Sequence, residues 1–243
     1  MAIWLFDEGT GKKVNDFVRN GHDGEFHGKP EWVPAKFGTG LKFAGADDNQ
    51  WVDIERPVVV DSVDFSIGCW LFPGTPQHWH QNPLSGRPAG NSDEGVAFAQ
   101  YENAVNSYRM VIGGVFNWEG LGNPRNSARL NHDEWTHLVF VREGKGGTWY
   151  KNGEPDRPKR GNHYINIGND NPVNATEAKF RIGAASFDEL RRYRGILDEA
   201  FIFERALSQE EVQRIMNEGF QEAQNVEFKD KAASVWGKIK SAH

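Results

Sequence analysis

Along most of the chain apolar residues recur with a period of two, the spacing of a strand with one buried face. Ile3-Trp4-Leu5-Phe6 opens the pattern. Leu41-Lys42-Phe43 and Trp51-Val52-Asp53-Ile54 alternate on either side of Ala46-Asp47-Asp48-Asn49, which predicts a hairpin with a solvated turn. Phe65-Ser66-Ile67-Gly68-Cys69-Trp70-Leu71-Phe72 is the longest such run near the middle. Residues 95–100, 107–115, 136–142, 148–151, 180–183 and 196–203 continue the series. Gly, Asn, Asp and Pro clusters separate the runs, so about ten to twelve short strands are expected. Half-buried alternation implies antiparallel sheets with one wet face each. Two further hairpins are predicted by their turn residues, the glycine-rich Glu143-Gly144-Lys145-Gly146-Gly147 and Asn152-Gly153. One segment has a helical period. Leu207, Val212, Ile215 and Met216 share a side, Ser208 and Glu211 form a capping box at its start, and Gly219 ends it.

Composition sharpens this picture. The 243 residues are enough for one large β domain or two small ones. The 9 Trp, 16 Phe and 27 Gly suit many strands joined by tight turns. A net charge of −6 argues against a nucleic-acid partner. No apolar run approaches the roughly 18 residues of a membrane span. The opening Met-Ala-Ile-Trp-Leu-Phe-Asp has no basic segment, so no signal peptide is expected in this chain. The lone Cys69 excludes an internal disulfide and a cysteine-built zinc site. The polar stretch from 221 to 243 holds one apolar cluster, Val235, Trp236 and Ile239. The expected organisation is therefore one domain over 1–219 and a tail or linker over 220–243.

Several segments, in order, carry a resemblance. They are Trp4-Leu5-Phe6-Asp7-Glu8-Gly9-Thr10-Gly11, Asn20-Gly21-His22-Asp23-Gly24 and Phe37-Gly38-Thr39-Gly40-Leu41-Lys42-Phe43. Phe65 to Trp70, Glu134-Trp135-Thr136-His137-Leu138-Val139 and Tyr150-Lys151-Asn152-Gly153 follow, and Gly195 to Phe203 leads into Arg205-Ala206-Leu207-Ser208. The chain resembles, over roughly residues 3–219, the laminin-G-like jelly rolls of the concanavalin A-like lectin/glucanase superfamily. The resemblance implies an all-β sandwich of two antiparallel sheets with one short C-terminal helix. It also implies a secreted or cell-surface protein whose loops contact glycans, and first and last strands that are neighbours. On that last point Glu8, Asn20 and Asp198 become candidate ligands of a structural Ca²⁺, which takes six to eight oxygens. Asp16 and Asp23 lie near them. The alternative is that backbone N–H groups or an arginine satisfy Asp198.

Catalysis is not indicated. Glucanases of the superfamily carry a Glu-x-Asp-x-x-Glu run, and none is present; Asp198-Glu199, as strand neighbours, should face opposite ways. His78-Trp79-His80 could present two imidazoles to a metal, but no third ligand is evident. Sugar recognition pairs an aromatic platform with planar polar groups. The loop and strand residues Trp79, His80, Arg87, Tyr108, Arg109, Trp118 and Arg125 supply both and form the candidate ligand set. The expected function is a non-catalytic glycan-binding module for a polysaccharide or glycoconjugate. An adhesion or assembly module with a protein partner, engaged through the tail, is the alternative.

Overall fold

The computed structural model describes residues 1–58, 60–75, 81–87, 95–100, 107–113, 128–156, 165–166, 173, 179–186 and 190–221. Among them the strands are, in order, β1 (Ala2–Trp4), β2 (Lys13–Val14), β3 (Gly24–His27), β4 (Glu31–Pro34), β5 (Thr39–Ala44) and β6 (Trp51–Ile54). Then come β7 (Phe65–Pro73), β8 (Leu84–Gly86), β9 (Val96–Gln100), β10 (Ser107–Ile112), β11 (Ala128–Arg129) and β12 (Thr136–Glu143). The last are β13 (Gly146–Lys151), β14 (Glu154–Pro155), β15 (Ile165–Asn166), β16 (Arg181–Ile182) and β17 (Arg194–Phe203). A helix, α1, follows over 209–221.

The strands form two antiparallel sheets. Sheet I runs β14-β13-β12-β7-β17-β5-β4, with β1 on β17 and β15 on β13. Sheet II runs β11-β10-β9-β8-β16-β6-β3-β2. The ends of the domain meet as expected, since Ala2, Ile3 and Trp4 pair with Ile202, Phe201 and Ala200. Between the sheets lies one core. Ile67, Cys69, Leu71, Leu138, Phe140 and Leu197 enter it from sheet I, and Val52, Ile54, Leu84, Phe98, Met110 and Ile182 from sheet II.

Both turn predictions hold. Gly144-Lys145 connects the Glu143–Gly146 pair, and Asn152-Gly153 the Lys151–Glu154 pair. Asn152 (φ +51) and Gly153 (φ +76) both take the left-handed conformation of a two-residue turn. The capping box is also formed, with the Ser208 N–H donating to Glu211 Oε2 (2.8 Å) and the Glu211 N–H to Ser208 Oγ (3.2 Å).

Two expectations need correction. The β5–β6 connection is no hairpin, because β5 belongs to sheet I and β6 to sheet II. A short 3₁₀ turn at Gly45–Asp47 carries the chain across. The Gln50 amide secures the crossing: its Oε1 accepts the Ala44 N–H (3.0 Å), and its Nε2 donates to the Lys29 carbonyl (2.8 Å). Asp47, Asp48 and Asn49 are exposed there, as expected. Nor is the outer face of sheet I wet at its centre. Ile3, Val139, Val141, Phe201 and Phe203 form a second apolar cluster with Val212, Ile215 and Phe220 of α1. The helix lies on the sheet and hides what alternation assigned to solvent. Trp70 is buried on this outer face, packed edge-on near the half-buried Trp135 (6.5 Å) and against His137 (5.1 Å).

Candidate functional site

The register of sheet II lines up one row of outward side chains. Val111, Ala97, Ser85, Arg181, Asp53, Glu25 and Lys13 are successive cross-strand partners from β10 to β2. Their chain neighbours Ile112, Phe98, Leu84, Ile182 and Ile54 fill the core, so the row points away from it. Its middle is made of small residues, Ala97 and Ser85, with Ala99 beside them, and all three are buried. Arg109 stands opposite Ala99 on β10, and Arg181 opposite Ser85 on β16.

Arg181 is held firmly. Its Nε–H donates to Asp53 Oδ1 (2.8 Å) and its Nη1 to the Ala185 carbonyl (3.3 Å). The other oxygen of Asp53 accepts the Trp51 indole N–H (2.9 Å). One carboxylate therefore orients a guanidinium and an indole together, a charge-assisted arrangement that fixes direction as well as distance. The guanidinium carbon lies 4.5 Å from the centre of the Trp51 ring. His27, the cross-strand partner of Trp51, stacks on that ring at 3.8 Å with the planes 3° apart. Trp51 is only 2% exposed, while His27 is open to solvent, so the stack offers imidazole and guanidinium surface. Ser186 anchors Arg87 on the same side of β8. Its Oγ accepts the Arg87 N–H (2.8 Å) and donates to the Arg87 carbonyl (2.7 Å).

The ligand residues expected from sequence divide accordingly. Arg87 and Arg109 lie on this face. Tyr108 does not: it alternates with Arg109, so its ring enters the core and meets Phe98 edge-on at 5.6 Å. Burial pushes its phenol well up, and its reading as a ligand contact is withdrawn. Trp79, His80, Trp118 and Arg125 lie outside the described residues, as do His78 and 222–243. Sequence reasoning passed over Trp51, Asp53, Arg181 and His27. Its available signal was the period itself, which puts Trp51 and Asp53 on the face opposite Val52 and Ile54.

The candidate calcium ligands are not gathered. Glu8 Oε1 accepts the Asn15 backbone N–H (2.7 Å) and side-chain N–H (2.9 Å). The Asn20 side chain donates to the Met1 carbonyl (3.0 Å), next to the Ala2–Ile202 pair. Asp198 lies four residues from Ile202 along β17, with a bulge between them. Among the described hydrogen bonds Glu8, Asn20 and Asp198 have separate partners. Asp16 instead collects backbone N–H groups, from Ile3 (3.3 Å), Val18 (3.2 Å), Asn20 (2.9 Å) and His22 (3.4 Å). Among the described residues no three His, Cys, Asp or Glu side chains are grouped to hold a metal.

Asp198 and Glu199 depart from strand alternation. The β17–β7 register slips between Asp198 and Phe201, and Glu199 takes φ +46. This bulge turns both acids out of the core, while Leu197 and Ala200 on either side stay in it. Asp198 Oδ2 accepts the Phe37 N–H and Oδ1 the Glu199 N–H, both at 2.8 Å. Both oxygens of Glu199 accept the Phe220 N–H (3.1 and 3.2 Å). Burial pushes Asp198 up to about 8, with Glu199 and Asp7 adding to it against the backbone bonds. Burial likewise pushes Glu199 up to about 7, Asp7 adding and the Phe220 bond opposing. At 0% and 3% exposure, with oxygens engaged by N–H groups, the pair is not placed to flank a glycosidic bond.

Comparison with known proteins bears on the fold. Domain 4 of AbnA, a GH43 extracellular arabinanase from Geobacillus stearothermophilus, solved with arabinotriose, is similar with a TM-score of 0.64 and 18% identity. The similarity covers 89% of this chain and 97% of that one. Trypanosoma rangeli sialidase with sialic acid has a TM-score of 0.58 at 17% identity, over 88% of this chain but 32% of the sialidase. The binding domain of Botulinum neurotoxin DC, solved with rat synaptotagmin II, gives 0.59 at 11% identity, over 89% of this chain and 51% of that one. No curated protein matches in sequence. The laminin-G profile described as Concanavalin A-like lectin/glucanases superfamily matches residues 45–213, which run from the β5–β6 crossing into α1 and include β6 to β17, strands of both sheets. With this match and its two-sheet jelly roll, the chain belongs to the concanavalin A-like lectin/glucanase superfamily.

Proposed function

We propose that the chain is a non-catalytic carbohydrate-binding module of a secreted protein, and that the sugar lies on the outer face of sheet II. The observation that carries this reading is the array centred on Asp53. One carboxylate aligns the Arg181 guanidinium with the Trp51–His27 stack, of which His27 is the exposed member. A furanose or pyranose ring has an apolar C–H face for such a stack, and paired hydroxyls for a planar guanidinium. Arg109 and Arg87 extend the polar rim. The arabinotriose held by the AbnA domain supports a sugar as ligand for this fold.

The test is titration calorimetry of arabinan, β-glucan and sialylated oligosaccharides against the wild type, Arg181→Ala and Asp53→Asn. Arg181→Ala should weaken binding at least roughly tenfold, the loss of one charge-assisted contact. Asp53→Asn, which acts by positioning Arg181, should do so less, with circular dichroism showing that both variants keep the fold. Unaltered binding in both variants would overturn the placement; no binding to any glycan would overturn the function. A protein-binding reading has one observation in its favour, the half-buried Phe37, Phe72 and Trp135 on the outer face of sheet I.

A further inference from the structure

Asp198 on β17, Trp70 on β7 and His137 on β12 are successive cross-strand partners in sheet I. Cys69, Leu71 and Leu138 beside them fill the core, so Trp70 and His137 point the other way. The His137 backbone is pinned, its N–H donating to Asn152 Oδ1 (3.0 Å) and its carbonyl accepting the Asn152 N–H (2.8 Å). Further rings collect around this pair. Trp135 meets Trp70 edge-on from the β12 side (6.5 Å), and Phe72 lies 5.4 Å from Trp135. Phe37 meets Trp70 from the β5 side (6.3 Å). These three rings are half-buried, and the exposed Lys36 lays its Nζ 4.5 Å from the centre of the Trp70 ring.

Trp70 and His137 are 4% and 1% exposed, and among the described residues neither the Trp70 indole N–H nor either His137 ring nitrogen has a hydrogen-bond partner. Burying such groups without a partner is unfavourable, so their convergence beneath a cover of side chains points to a bound group that meets them. Their chemistry narrows what that group is. Burial and Lys36 push His137 down to about 3, so above that its ring is neutral, one nitrogen donating and the other accepting. The indole only donates. A hydroxyl donates and accepts at once, and so matches an indole N–H and an imidazole nitrogen together. A carboxylate or phosphate would leave the accepting nitrogen unmet and would lie beside Asp198. An ammonium group would meet Lys36. Trp135 and Phe72 add apolar ring surface next to these nitrogens, the combination that suits the C–H face and the hydroxyls of a sugar ring.

We infer that Trp70, His137, Trp135 and Phe72 form a second carbohydrate site, on the outer face of sheet I, that takes one uncharged sugar ring. A hydroxyl of that ring bridges the Trp70 indole and the His137 imidazole, its C–H face lies against Trp135, and the Lys36 side chain swings off Trp70 to admit it. This site goes beyond the Arg181 array, lies on the opposite sheet and does not depend on it.

The experiment titrates the isotope-labelled full chain with arabinotriose, cellotriose and mannotriose. The indole N–H resonances of Trp70 and Trp51 are followed separately, each identified by its loss in Trp70→Phe or Trp51→Phe. At least one sugar should shift the Trp70 indole and the His137 ring resonances to saturation. His137→Phe keeps a ring and removes both nitrogens, and Trp135→Ala removes the platform. Each should weaken binding of that sugar at this site roughly tenfold. If His137→Phe fails to fold, Trp135→Ala decides alone. Unchanged affinity in a folded variant overturns the proposal. So does a Trp70 resonance that none of the sugars moves, the result expected if water alone meets these nitrogens. A shift of Trp51 without Trp70 overturns this inference and leaves the sheet II reading standing, whereas a shift of Trp70 without Trp51 does the reverse.

Discussion

Asp16 offers a demanding test of how the N-terminal strand is held. The Asp16→Asn substitution keeps shape and removes one acceptor oxygen. Oδ1 serves the N–H groups of Ile3 and Val18, and Oδ2 those of Asn20 and His22. Whichever way the new amide turns, its NH₂ confronts two of the four donors, in a residue only 2% exposed. A buried donor left without an acceptor costs about 1–3 kcal/mol, so two amount to about 2–6 kcal/mol. In a domain of this size each kcal/mol moves the unfolding temperature by about 2–4 °C, which gives a fall of roughly 4–24 °C. Differential scanning calorimetry at pH 7, with and without a calcium chelator, measures it. The chelator should leave the wild type unchanged, because the carboxylate oxygens are already occupied by N–H groups. A fall below about 1 °C would refute the hydrogen-bond account. A chelator effect as large as the substitution would show that the carboxylate serves an ion.

Further outcomes follow from the same contacts. Because Asp198 and Glu199 are raised on folding, the folded chain retains protons that the unfolded chain loses above about pH 4. Their stabilising contribution is complete below that pH and is lost as pH rises through about 7 and 8, so the unfolding temperature should fall between pH 5 and 8.5. A flat or rising profile would contradict this. Ser208→Ala removes the acceptor of the Glu211 N–H and should cost about 1 kcal/mol in chemical denaturation. Phe220→Ala should cost about 3–5 kcal/mol by emptying the space beside Phe201, with hydrogen exchange at 216–221 rising first.

Much of the architecture was legible in the chain because its causes are local. The period of two marks Phe65–Pro73, Thr136–Glu143 and Arg194–Phe203, since a side chain's face depends on its own backbone alone. Asn152-Gly153 and the Ser208–Glu211 box read correctly for the same reason, each closed by bonds between residues a few positions apart. The short β2, β3, β4 and β8 passed unnoticed. Two to four residues, several beside Gly or Pro, carry too little period to register.

Neighbouring residues alone establish the kind of object: alternating strands, punctuated turns, one capped helix and a superfamily pattern. Which strands share a sheet follows only from packing, so that β5 and β6 part company and α1 covers a face that alternation had left to solvent. Packing also decided the chemistry of the acids, sending Asp198 to the amide of Phe37, 161 residues away, and turning Glu199 with it through a bulge. Likewise it assembled Arg181, Asp53, Trp51 and His27 from three strands into one array. The physical reason is common to all of these. Periodicity and capping are properties of neighbours in the chain, whereas burial, register and the partner of a buried charge depend on residues that only packing brings together.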